Sequence, residues 1–186
     1  MRSAARLLPL AALLVFVAAL SLRPMAESDL FFHLQTGREI LLRHRLLDRN
    51  FFSFTYPDYP NLDTSWLFEV GAAALYARGG FPALVVAKTA VLLAAFAGAH
   101  RLCRRLGAGP ALSALALAGA AFVGRDRFVE RPHLFSLCGA VATLAVVEAM
   151  RGRRGPAAAR AAAAFLGGVV VWANLHAGVF VAPLLL

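Results

Sequence analysis

Charge is what this 186-residue chain has least of. Asp, Glu, Lys and Arg make up 16% of it, where a soluble domain carries about a quarter, and Lys88 is the one lysine. Apolar residues make up 60% and the mean hydropathy is +0.69. A soluble core at this length could not hide so much apolar surface, so a soluble globular domain is excluded and lipid is the solvent that fits. Cysteine is nearly absent. Cys103 stands among arginines and Cys138 in an apolar run, so no disulfide is expected between them. No phosphate-cradling Gly-Lys loop, cysteine zinc spacing or Gly-x-Ser-x-Gly elbow occurs, which leaves soluble nucleotide-dependent chemistry without support. The net charge of +9 does not point to nucleic acid. The arginines sit between apolar runs, as membrane flanks do, and are not gathered on one soluble face. A small-x-small cleavage site is missing as well: Arg23-Pro24-Met25 follows the first apolar run, so that run reads as an uncleaved first span.

What is present is a series of apolar runs. A spanning helix needs about 20 apolar residues, and five segments meet or approach that: 7–22, 81–100, 109–124, 133–150 and 157–174. Pro82 and Pro132 stand at the starts of the second and fourth, where proline is tolerated. The expected fold is all-α: a polytopic transmembrane helical bundle in a single membrane domain. A further apolar run, 179–186, stops after eight residues; we expect the chain to be a piece of a longer protein. Arginine placement orients the bundle. Arg2 and Arg6, then Arg101, Arg104 and Arg105, then Arg151, Arg153, Arg154 and Arg160 alternate with the other connections and read as cytoplasmic. The expected location is the bacterial inner membrane, with the N-terminus in the cytoplasm. The opposite side receives loop 23–80, with six arginines and seven acidic residues, the loop 125–132 and the region around 172–178.

The long outer loop carries its own pattern. Ser28 is placed to cap a helix that begins with Asp29, where negative charge is favoured. That segment mixes apolar and polar residues as an interfacial amphipathic helix does. Asp48, Asn50, Ser53, Pro57, Asp58, Pro60 and Asn61 read as turns. A second amphipathic helix, 64–78, contains Trp66 and Tyr76 and reads as lying along the interface.

Several residues carry chemistry. Asp29 and His33, four apart, share a helix face, with Gly37 a turn further on. A carboxylate beside an imidazole suits a general base or half of a metal site; the plainer reading is a solvated interfacial pair. Arg127, Arg131 and His133 crowd the short loop before the fourth span. Arginine forks suit phosphate oxygens, and the plainer reading is snorkelling. Asn174 and His176 end an apolar run, where polar groups either line a cavity or bond between helices, beside Trp172 as an aromatic-belt anchor. Lys88, two turns into the second span, pairs either with a lipid phosphate or with a loop carboxylate.

Taken in order, Asp29 with Phe-Phe-His-Leu-x-x-Gly-Arg-x-Ile, then Asp48, Phe-Ser-Phe-Thr (52–55), Trp-Leu-Phe-Glu (66–69), Arg-Pro-His-Leu-Phe-Ser (131–136) and Trp-Ala-Asn-Leu-His (172–176) resemble the N-terminal part of bacterial GT-C-type membrane glycosyltransferases. The resemblance implies a polyprenyl-phosphate-linked sugar donor at the outer face, with membrane lipids as surroundings. It implies that Asp29, with Glu27 as a weaker candidate, is the base on the acceptor hydroxyl or a ligand for a divalent metal. Arg127, Arg131 and His133 would steady the phosphate leaving group, and Asn174 and His176 would line the same cavity. Ala177 stands where the pattern has glycine after the histidine. Two other readings use the same residues: a transporter or lipid-handling subunit that binds without chemistry, and a non-catalytic membrane protein.

Overall fold

The computed structural model describes residues 2–23, 27–50, 52–56, 59–151 and 155–186, with the side chains of residues 2–6 outside that description. The expectations resting on the side chains of Arg2 and Arg6, and on Pro24, Met25, Pro57, Asp58, Arg153 and Arg154, therefore lie outside the described residues.

Every element of regular length among the described residues is a helix. They are α1 (Arg2–Ser21), α2 (Asp29–Arg43), α3 (Trp66–Arg105), α4 (Pro110–Gly124), α5 (His133–Met150) and α6 (Pro156–Leu175), with 3-10 segments at Arg125–Arg127 and Ala177–Leu184. Three of them, α3, α5 and α6, are long and apolar enough to cross a membrane by length and composition. Five such segments were expected. The apolar part of α1, Leu7–Ser21, is shorter, and α4 has 15 residues. At about 1.5 Å of rise per residue, α4 falls short of a hydrocarbon layer about 30 Å thick.

The second amphipathic helix and the second apolar run join into one element. α3 runs for 40 residues and is broken at Gly80, whose φ of 59° and ψ of −154° are not helical. A residue with a side chain is strained at that φ, so glycine is what allows the turn. Pro82 follows in the first turn of the second arm, where its missing N–H costs nothing. Residues 66–79 form one arm and 81–105 the other.

Two apolar clusters form, the smaller one spanning the break in α3. Leu30 and Leu34 of α2 meet Ala72 and Leu84, with Phe68 and Phe81 against them. Leu13 and Val17 of α1, Leu92 and Phe96 of the second arm, Ala114 and Ala121 of α4, and Phe128 and Leu134 form the larger cluster. α6 contributes little to either: its one buried side chain is Trp172. Its Leu166, Val170 and Val171 are exposed, as are Leu115, Phe122 and Val123 of α4. So large an apolar exterior is unusual on a water-soluble monomer.

The turn expectations around residue 50 have a physical form. Arg49 and Pro60 make an isolated antiparallel bridge, with Asn50 N–H donating to Tyr59 O at 2.8 Å and Asn61 N–H to Asp48 O at 2.9 Å. The Asn50 side-chain oxygen accepts from the Phe52 and Ser53 amides, each at 3.1 Å, which is an Asx turn. Ser28 does not act as the expected cap, since its side chain accepts no bond from the α2 amides. Glu27 accepts from the Asp29 N–H instead, at 3.4 Å.

Candidate functional site

Four connections meet at one end of the helices: the segment before α2, the start of α3, the loop before α5 and the end of α6. Arg131 links the first and third. Its Nη2 donates to Glu27 Oε1 and to Asp29 Oδ2, each at 2.6 Å. The guanidinium beside it holds the Glu27 carboxyl below the usual range, and the two carboxylates push the Arg131 value up. Trp66 links the second and fourth: its indole N–H donates to Asn174 Oδ1 at 2.7 Å. The Asn174 amide nitrogen donates to Val170 O at 2.8 Å, so the side chain is engaged at both ends. Asn174 thus bonds between helices, one of the two readings open from sequence.

Asp29 and His33 share a helix face but have different partners. His33 Nδ1 lies 2.8 Å from Glu69 Oε1, on the first arm of α3. Gly37 explains why α2 comes close enough for that bond. A Cβ on Gly37 would lie 2.0 Å from the Glu69 carbonyl oxygen, so only glycine permits the backbones to touch there. Phe32 and Phe68 stand edge-on to the imidazole, with ring centroids 5.7 and 5.4 Å away. Burial lowers the His33 proton affinity, while Asp29, Asp63 and Glu27 oppose the shift. Glu69 is 2% exposed, with Asp63 beside it. Sequence reasoning recorded Glu69 in a motif without giving it a role. Its one signal was an acid on the otherwise apolar side of an amphipathic helix.

Lys88 is buried and ion-paired with Glu130 Oε1 at 2.7 Å, the loop-carboxylate alternative. Among the described residues Glu130 has no other polar partner. The pair borders a cavity of about 150 Å³ whose other walls include Leu30, Phe68, Leu84, Arg131 and Phe135. A buried charge needs a partner of opposite sign, and Glu130 in the expected loop is within reach because α5 packs on α3.

His176 closes the arrangement. Its Nδ1 accepts from the Gly178 N–H at 2.9 Å and from the Ser136 hydroxyl at 2.7 Å, and the Trp172 indole N–H donates to Ser136 Oγ at 2.9 Å. The indole lies on Gly139, where a Cβ would come within 2.4 Å of the ring. Trp172 is therefore buried between helices, where sequence had it as a belt anchor. The glycine that the motif lacks at Ala177 has a counterpart one position on. A Cβ on Gly178 would fall 2.5 Å from both His176 Nδ1 and Ser136 Oγ. Burial lowers the His176 proton affinity, and His133 adds to that. His133 itself donates from Nε2 to the Arg127 carbonyl at 2.9 Å; the Arg127 side chain is exposed.

The assembly thus gathers Glu27, Asp29, Arg131, His33, Glu69, His133 and His176 at one end, and commits Lys88 and Asn174 to structural partners. Among the described residues no three His, Cys, Asp or Glu side chains are arranged to hold a metal ion. Comparison of the chain with protein-family models, with curated proteins and with solved structures gave no match in any of the three.

Proposed function

We propose that this chain is the membrane-embedded part of a GT-C-like transferase, which moves a sugar from a polyprenyl-phosphate carrier to an acceptor on the outer side of the bacterial inner membrane. α2 and residues 66–79 lie along the outer interface in this reading, and α1, α3 beyond Gly80, α4, α5 and α6 cross; α3 beyond Gly80 and α5 both start at the outer end, so the short α4 must carry the chain back between them, with local thinning of the bilayer to match its length. The observation that carries it is the Arg131 bridge to Glu27 and Asp29. It joins an acidic group that follows the first helix to an arginine loop more than a hundred residues away, at the end where the imidazoles gather. A carboxylate and a neutral imidazole can take the acceptor proton, and Arg131 with the exposed Arg127 can stabilise charge on a departing phosphate. As the acceptor oxygen bonds to the anomeric carbon, the bond to the carrier phosphate breaks and its electron pair leaves with the phosphate.

The test is transfer from a polyprenyl-phosphate sugar in proteoliposomes. Asp29→Asn should cut turnover by about a hundredfold or more, in line with loss of a general base. Undiminished transfer by that variant would remove the catalytic assignment. Sugar-lipid binding without any turnover in the native protein would favour a lipid-handling role.

A further inference from the structure

α3 beyond Gly80 and α5 pack side by side, and on the half away from Arg131 a groove lies between them. Ala94, Ala95 and Gly98 of α3 and Ala142 and Ala145 of α5 line it around about 270 Å³ of empty space. The helices touch at its floor, where a Cβ on Gly98 would lie 3.1 Å from Val141 Cγ1. Above that contact the side chains are too small to fill the gap. Ala94 and Ala142 are exposed, so the groove opens outward, on two helices long and apolar enough to cross a membrane. From Ala94 to Arg105 the helix rises about 16 Å. That is about half of a hydrocarbon layer about 30 Å thick, so the groove is one leaflet deep.

One end of the groove is charged. Arg101 and Arg105 line the same cavity, four residues apart and hence on one helix face. Both are exposed, and among the described residues neither has an ion pair or a side-chain hydrogen bond. Arg104, between them, turns to the Ala108 carbonyl instead. Glu148, three residues beyond Ala145, is held by Arg151 at 3.1 Å, and every other acid of the chain lies in 27–69 or 126–130. Nothing acidic in the protein therefore answers the two guanidinium groups.

An apolar groove one leaflet deep that ends in two unpaired arginines matches a methylene chain with an anion at its head. Guanidinium forks suit phosphate oxygens, and basic pockets between spans are where anionic lipid headgroups bind. A second copy of this chain matches poorly. Its own end at this height carries Arg101, Arg104, Arg105 and Arg151, so two copies would bring like charges together. We propose that the groove binds one anionic phospholipid, with an acyl chain along Ala94, Gly98 and Ala142 and the phosphate on Arg101 and Arg105. The site rests on α3 and α5 crossing a membrane, and not on the transferase reading.

The experiment is native mass spectrometry of the whole chain released from detergent, titrated with phosphatidylglycerol and phosphatidylcholine of the same acyl chains. One phosphatidylglycerol per chain should be retained, with a preference of about thirtyfold over phosphatidylcholine, as two arginines at a headgroup would give. Arg101→Gln with Arg105→Gln should erase the preference. Ala94→Leu, which fills the groove, should weaken phosphatidylglycerol about tenfold with both arginines present. Ala90→Leu, exposed one turn earlier and outside the lining, should behave as the native chain. All four positions are exposed, so the substitutions leave the core untouched. Equal retention of the two lipids, a preference that survives loss of both arginines, or an Ala94→Leu variant with native affinity would overturn the proposal. So would displacement of the lipid by inorganic phosphate, tighter binding of a polyprenyl phosphate, or a lipid-free dimer. None of these readings depends on sugar transfer, so loss of the transferase reading would leave the site standing.

Discussion

Arg131 holds Glu27 and Asp29 on a single nitrogen, 2.6 Å from an oxygen of each. Two carboxylates of like charge are thereby kept together by one cation that comes from more than a hundred residues downstream. The Arg131 side chain is 36% exposed and that of Asp29 56%, so water screens much of the attraction. We expect Arg131→Gln to cost only about 1 kcal/mol of stability while it removes most of the transfer activity, since the two acids then repel and separate. A melting curve beside a turnover assay checks the split. A large loss of stability with activity retained would refute it.

The contact between Gly37 and the Glu69 backbone is a steric lock. Gly37→Ala places a methyl 2.0 Å from a carbonyl oxygen, and neither backbone can yield as a flexible side chain would. The expected loss is about 1–3 kcal/mol, the usual cost of overpacking, although alanine has the higher intrinsic helix propensity. Release of His33 from Glu69 should accompany it, visible as a change in the His33 ring signals. Gly71→Ala on the same arm, with nothing within 4 Å of the added methyl, is the control and should be neutral or slightly stabilising.

Lys88 and Glu130 form the most buried ion pair described, with side chains 3% and 4% exposed. Removing one partner strands the other, so Lys88→Met or Glu130→Leu alone should cost about 3–5 kcal/mol, whereas Lys88→Met with Glu130→Leu should recover most of the loss. Unfolding of the four proteins in a mixed-micelle titration measures the coupling. Additive losses would show that the two charges do not depend on each other.

Burial keeps His33 and His176 less basic than an exposed histidine. At these two rings the unfolded chain binds more protons than the folded one as pH falls through the ordinary histidine range, so their contribution to stability grows as pH rises. The sign at His176 is fixed by the Gly178 amide, which would face a protonated Nδ1 if the ring took up charge. Glu69, which burial pushes up to about 9, has the opposite sign over the same range, so the His176 contribution is read by difference: between about pH 5.5 and pH 7.5 the melting temperature of His176→Gln should rise less, or fall more, than that of the native protein. A variant whose melting temperature follows pH just as the native protein's does would contradict it.

Much of the helical plan was legible from the sequence. Apolar runs bounded by Gly, Pro and Arg locate α4, α5 and α6 to within a residue or two of 109–124, 133–150 and 157–174. The gap between segments 64–78 and 81–100 marked the break in α3, and Asn50 its turn. Helix propensity and the exclusion of charge from hydrocarbon are local matters, so neighbouring residues suffice to express them. The division of Trp66–Arg105 was also legible, but not that both arms would continue as one element.

The side-chain partners are another matter. Sequence spacing put Asp29 and His33 on one face, and so they are, yet it could not say that Arg131 would take one and Glu69 the other. It left Lys88, Asn174 and Arg131 each with two readings, because pairing energy depends on what stands opposite across helices, at separations of 36 to 108 residues. By itself the sequence determined an apolar helical chain, its breaks and which polar residues must find partners. Only the tertiary structure decided who those partners are. Helix formation is settled within a few residues by backbone bonding and transfer energy, whereas a buried or half-buried polar group is satisfied by whichever donor or acceptor packing brings within 3 Å.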